Sequence, residues 1–316
     1  MFKKKTFSLK SSEIAKFLNA KLYGKDVSIN KFSSIEYIKD SSIIFLTDTI
    51  NNHFNLKEEI IHKFTQSKDK KNLLFLLDKN FDTKNFIHSY ILTDNPRFDF
   101  HKILNEFFVE NEFLNEKHPS AVIEKNAQLD ANIYIGPNSY IGSNVKIGRG
   151  TKILSNVSIY GETTIGKNCV IKSNSVIGGE GFGFARNKDE IIHFPHTGRL
   201  IIGENVWIGS NTTIDKGSID ETFIGDNVKI DDLVHVGHNS KIKSRTTLTV
   251  GSIICGRVEI AESSWISPNA IIQNGVKIGS NCLIGTAAII RKNVDDDCVV
   301  GGNPPRVIRR NTKIEK

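Results

Sequence analysis

Two histidines stand three residues apart in the stretch LVHVGHNSKI, Leu233 to Ile242. An unperturbed imidazole titrates near pH 6.5, so His235 or His238 has the chemistry to take a proton from an amine or hydroxyl nucleophile at about neutral pH. Gly256 lies further along the same repetitive stretch. A glycine at such a place offers a backbone N–H with no side chain in the way, suited to a developing oxyanion. Two other readings compete with a general base. One is a surface or packing histidine. The other is metal ligation, with His193 or His196 completing a set, but residues an odd number apart on one strand point to opposite sides and do not readily share an ion. No metal is therefore expected.

The elements that position these residues are written in sixes. From Ile123 the count reads Leu129, Ile135, Ile141, Ile147, Ile153, Ile159, Ile165, Ile171 and Ile177. It returns at Ile202, Ile208 and Ile214, slips once, and runs unbroken from Ile224 to Ile290 through Val236 and Ile254. A period of six is neither helical nor simple alternation; it is the hexapeptide repeat of a parallel β-helix. Three hexads make three flat faces of one triangular coil, so residues separated by three hexads stack, the aliphatic position points inward, and recurrent Gly, Asn and Asp turn the corners. On this frame His238 sits beside a corner, with Gly256 one coil above it on the same face.

Two interruptions break the rhythm, and insertions in solenoids tend to carry the binding face. The larger, residues 179–200 in GGEGFGFARNKDEIIHFPHTGRLI, includes Phe182, Phe184, His193, Phe194 and His196; the smaller is DKGSIDETF. The segment 1–115 reads differently, as a small α/β domain. SSEIAKFLNAKLYG predicts a helix from a Ser cap, SSIIFLTD and KNLLFLLD predict buried strands, and NPRFDFHKILNEFFVEN predicts a helix after a proline. The β-helix is expected over 116–300, with a basic tail over 301–316. Among 316 residues with 39% hydrophobic and 24% charged side chains, a net charge of +7 suggests an acidic partner. Arg-rich runs and finger spacings are absent, which argues against nucleic acid. Signal peptide and membrane span are not expected, and the four cysteines form no C-x-x-C pair, so a reduced cytoplasmic protein follows.

GGEGFGFARN, HTGRLIIGENVWIGSNTTIDKGSID and IDDLVHVGHN resemble, in order and spacing, the UDP-3-O-acylglucosamine N-acyltransferases of lipid A synthesis. HPSAVIEKNAQLDANIYIG resembles that family's first β-helical coils, and SSIIFLTD with DNPRFDFHKIL its N-terminal uridine-binding domain. The resemblance implies a left-handed β-helix, a homotrimer, and N-acylation of a nucleotide-linked amino sugar by a carrier thioester, with no tightly bound cofactor. It implies His238 as general base, Gly256 as oxyanion donor, substrate and acyl contacts from Phe182, Phe184, His193 and His196, and a uracil contact from Phe45. Asp220, three hexads before His238, is the expected orienting carboxylate, with Asp215 and Asp232 as alternatives.

Departures from the family pattern point to a second donor. Asn51 stands where the family's nucleotide pocket has a Tyr, and Gly275 where it has a second His. The ending GSNCLIGTAAIIRKNVDDDCVVGGNPPRVIRR resembles coenzyme A-dependent hexapeptide acetyltransferases, whose G-N-P loop lines the pantetheine channel. Arg291, Lys292, Arg306, Arg309 and Arg310 suit either coenzyme A phosphates or the acidic face of acyl carrier protein. The alternative function is thus a short acyl-CoA-dependent N-acyltransferase of another amino sugar nucleotide for a surface glycan. A non-catalytic β-helix scaffold is the alternative of a different class.

Overall fold

A side chain that points inward at every sixth position can stack only if the chain returns to the same place after three hexads. In the computed structural model this is what happens. The structure describes residues 2–5, 8–46, 67–84, 86–111 and 116–312. Asn51 lies outside them. On one face Ile123 pairs with Ile141, Ile141 with Ile159, and Ile159 with Ile177, each step being three hexads. The three faces are parallel sheets of nine, eight and ten strands, the last including one antiparallel strand at its end. The result is a mainly β solenoid of about 12 turns whose structural relatives are left-handed β-helices.

The core is the ladder itself. Ile135, Ile153, Ile171, Ile208 and Ile230 are fully buried on one face, each in contact with the next coil. Each such side chain contributes roughly 1.5–3 kcal/mol of burial, which is what holds two-residue strands in register. Three residues after most inward aliphatics the backbone turns into the left-handed region, as at Asn138, Asn144, Asn156 and Asn239, with φ of 57° to 62°. Asparagine tolerates that conformation by hydrogen-bonding locally, which explains its recurrence. Arg257 takes the same corner angle, φ 60°, without that help.

The two interruptions lengthen single coils. Ile177 stacks on Ile214, and Ile214 on Val236, each across more chain than the three hexads of a regular coil. The larger insertion folds out as an antiparallel hairpin, Phe184–Arg186 against Ile191–His193, with Phe184 opposite His193. Beyond the last coil, Arg306–Arg310 pairs antiparallel with Cys298–Gly301, so these basic residues form a strand and not a loose tail.

The chain divides into compact units over 1–112 and 113–316. The first carries a five-stranded mixed sheet in which Ser42–Phe45, Leu74–Asp78 and Ser89–Thr93 run parallel. Its helix Pro96–Ile103 begins at Asn95, whose Oδ1 accepts from the Phe98 N–H at 3.0 Å. The start of the helix Ser11–Phe17 differs from the expected Ser cap. Ser11 is already helical, and the free amide of Ser12 donates to Asp26 Oδ1 at 2.9 Å, a partner far away in sequence. Among the described residues no helix is long and apolar enough to cross a membrane. All four cysteines are free thiols; Cys169 is buried, which pushes its thiol up to about 11.

Candidate active site

His238 follows the strand His235–Val236 and immediately precedes the left-handed corner at Asn239. The corner turns the Asn239 side chain back along its own chain. Its Oδ1 accepts from the Ser218 N–H at 3.1 Å and lies 2.8 Å from Ser218 Oγ and 2.9 Å from His238 Nδ1. A backbone N–H only donates, so the amide atom it meets is the oxygen, and His238 Nδ1 must then carry its proton. Nε2 is left with a free lone pair, the state a general base requires.

That nitrogen faces Gly256. A Cβ built on Gly256 would stand 2.9 Å from His238 Nε2 and 3.1 Å from Cε1, so only glycine lets the coil pass beside the imidazole. The Gly256 N–H donates no hydrogen bond to the described chain, while its neighbour Arg257 donates to the His238 carbonyl at 2.8 Å. A proton acceptor and an unused amide donor therefore sit side by side. Around them opens a pocket of about 630 Å³ walled by Phe182, Phe184, Phe194, His196, Ile219 and Asn274. Phe182 and Phe184 are in ring contact at 4.9 Å and largely exposed, whereas His196 is buried edge-on against His238, ring centroids 5.2 Å apart.

His235 does something else. Its Nδ1 pairs with Thr213 Oγ1 at 2.8 Å and its Nε2 approaches Asp215 Oδ2 at 3.8 Å. Burial pushes the Asp215 carboxyl up to about 7, and burial together with the nearby His238 lowers His235. Asp232 is held by Lys172 at 2.6 Å, which keeps its carboxyl below the usual range. Neither acid reaches His238.

The expectation that Asp220 orients His238 is corrected by the same geometry. The acceptor on Nδ1 is the Asn239 amide. The extra length of this coil brings Ser218 to the corner, and Asp220 uses its backbone carbonyl to accept from the Arg199 N–H at 3.0 Å. The residue lines an adjoining charged groove with Arg199, Lys241 and Arg257.

Of the other expected site residues, Phe182, Phe184 and His196 gather at the pocket, and His193 stands behind Phe184 with its ring 5.3 Å away. Phe45, half-buried, packs against Phe100 at 4.9 Å within the N-terminal unit. Gly275 borders the pocket at a corner with φ +72°. Lys292 lies three coils from His238 on the same corner column, about 14 Å at ordinary strand spacing, with Arg291 beside it. Arg306 is on the terminal hairpin of a different face, so the sheets do not gather the basic residues into one cluster. Asn239 and Ser218 were not singled out in sequence: Asn239 looks like every other corner asparagine, and Ser218 lies in the slipped coil.

The repeats match two family models. Residues 120–154, 144–179 and 257–292 match the bacterial transferase hexapeptide (six repeats), and residues 199–231 match the hexapeptide repeat of succinyl-transferase. A UDP-3-O-acylglucosamine N-acyltransferase of Coxiella burnetii (strain Dugway 5J108-111) is 31% identical over 309 residues, covering 92% of this chain and 86% of that protein. The chain belongs to the UDP-3-O-acylglucosamine N-acyltransferase family. It is an acyltransferase of the lipid A branch of hexapeptide-repeat enzymes, and the scaffold alternative falls away. A relative of the same description from Dechloromonas aromatica (strain RCB) is 51% identical over 78 residues, 25% of this chain and 22% of that one. Among solved structures, the Francisella novicida UDP-N-acetylglucosamine acyltransferase is similar with TM-score 0.57 and 29% identity over 62% of this chain and 71% of that chain. The Moraxella catarrhalis UDP-N-acetylglucosamine O-acyltransferase is similar with TM-score 0.57 and 25% identity over 62% and 75%.

Proposed function

We propose that this family member transfers an acyl group from a carrier thioester to the amine of UDP-3-O-acylglucosamine. The observation that carries the reading is the free Nε2 lone pair of His238 beside the unused N–H of Gly256. The amine attacks the thioester carbonyl as His238 Nε2 accepts its proton. The carbonyl oxygen gains negative charge and is met by the Gly256 N–H, a donor already in place and costing no reorganisation. On collapse the new C–N bond remains, the C–S bond breaks, and the proton held on His238 passes to the departing thiolate. Asn239 acts as a positioning residue, fixing the tautomer in which Nε2 is the acceptor. Phe182, Phe184 and His196 form the wall against which substrate and acyl chain lie, His193 supports that wall, and Phe45 is a uracil contact in the N-terminal unit.

The donor is acyl carrier protein in this reading. Lys292 at the far end of the His238 column, with Arg291 beside it, would meet its acidic surface or the phosphate of its prosthetic arm. A short acyl-CoA is the second reading, favoured by the Cys298–Gly301 and Arg306–Arg310 hairpin that ends the solenoid around GGNPP. Exposed Ile191, Ile192 and Ile219 beside the pocket support a homotrimer with clefts between subunits. Free thiols throughout fit a cytoplasmic enzyme.

The test is a donor comparison following thiol release with a panel of amino sugar nucleotides. Turnover only with hydroxyacyl carrier protein and UDP-3-O-acylglucosamine is expected. Turnover with acetyl-CoA and a different amino sugar would replace the proposed donor and acceptor by the second reading.

A further inference from the structure

The insertion carries a group of donor atoms that take no part in the proton transfer at His238, although His196 also lines the pocket and His193 stands behind its wall. Glu180, His193 and His196 each offer a donor atom, and the three atoms lie within 4.8 Å of one another. Glu180 Oε2 and His193 Nε2 are 3.3 Å apart. Two donors bound at about 2.1 Å to a tetrahedral zinc stand about 3.4 Å apart, so this pair already has the span of one coordination edge. By itself a half-exposed Glu–His pair is an ordinary surface ion pair.

His196 makes it more than that. Only 2% of the residue is exposed. Its Nδ1 is 2.9 Å from the Phe194 carbonyl, which can only accept, so Nδ1 carries the proton and Nε2 the lone pair. That Nε2 is buried and has no hydrogen-bond partner. A buried acceptor without a donor costs about 1–3 kcal/mol, and a ligand supplying positive charge would remove that cost. An imidazole fixed through one nitrogen by a backbone carbonyl, with the other nitrogen bare, is the arrangement found around metal-ligating histidines. The backbone at Gly181 passes close to this nitrogen: a Cβ there would stand 3.1 Å from His196 Nε2 and 2.9 Å from His238 Cδ2.

We propose that Glu180, His193 and His196 form a binding site for a divalent transition cation of the zinc class. The three protein ligands belong to one insertion. Glu180 precedes the hairpin, His193 ends its second strand and His196 follows in the return to the coil, so one ion fastens both ends of the hairpin beside the His238 pocket. Nitrogen and carboxylate donors select zinc-like ions over magnesium and calcium, which take oxygen ligands. The site leaves a coordination position for water, and the inference is independent of which acyl donor the enzyme uses.

The experiment is calorimetric titration of zinc chloride into the full chain, free of affinity tag and stripped with chelator, alongside cobalt spectroscopy and thermal melting. One zinc per chain, a raised Tm and a tetrahedral cobalt spectrum are expected. His196→Ala should abolish binding, and His193→Ala and Glu180→Gln should weaken it at least tenfold, while His238→Ala should retain it. Should His196→Ala fail to fold by circular dichroism, the exposed His193→Ala decides the matter. Absence of saturable binding, or binding indifferent to His193→Ala and Glu180→Gln, would overturn the proposal.

Discussion

The regular coils and the 179–200 insertion answer to different physics. In the regular coils from Ile135 onward the inward aliphatic of each hexad is at or near zero exposure, and each residue's neighbour is known by counting three hexads. In the insertion the large apolar residues face outward: Phe182 is 88% exposed, and Ile191 and Ile192 are each more than half exposed. A segment that leaves such surface uncovered is not contributing to the core that carries it. The solenoid supplies rigidity and the insertion supplies contact, with His238 at their meeting point.

The largest effect expected is at that meeting point. His238→Ala should lower thiol-release turnover by roughly 10²- to 10⁴-fold, the loss of a positioned base, with Tm unchanged. A rate within twofold of the parent would mean that the meeting point is not where chemistry occurs. Next comes the ladder. Ile230→Ala, at a fully buried rung, should cost about 2–5 kcal/mol in denaturant unfolding, because the coils above and below cannot collapse onto the cavity.

A pH-dependent difference should follow from Asp215, at the bulge where the insertion leaves the coils. Its folded-state pKa is raised from an ordinary 3.8 to about 7, so between those values the folded chain holds a proton that the unfolded chain has released. Stability from this group is present at low pH and declines as pH rises through that window. His235, 3.8 Å away and lowered, contributes with the opposite slope, so the comparison must be made between parent and Asp215→Asn. The variant should show a flatter fall in Tm from about pH 4 to about pH 7; an unchanged profile would mean that Asp215 is ionised throughout. The smallest effect overall is expected at Phe182→Ala, a change in stability within about 0.5 kcal/mol because the ring is exposed, accompanied by a raised KM for long acyl donors. A drop in Tm comparable to Ile230→Ala would erase the distinction between the two regions.

Much of this was legible beforehand because the hexad is a local rule. Once Ile123 to Ile177 fall in sixes, inward burial, parallel stacking and left-handed corners often occupied by asparagine follow without further information. His238 and Gly256 stand out by the same counting, since both lie in an unbroken stretch. Counting by three hexads failed at Asp220, where the lengthened coil changes which side chain meets the corner. It also gave no reason to separate Asn239 from its fellow corner residues.

Sequence by itself determined the ladder, the corners and the column that holds His238, Gly256 and Lys292, because an exact repeat turns separation along the chain into position in space. Only the tertiary structure decided that Asn239 and Ser218 fix the tautomer of His238, that His196 is buried with a bare nitrogen, and that Asp220 turns to another groove. Those contacts cross the two interruptions, where the period is broken and the path of the chain depends on packing rather than on count.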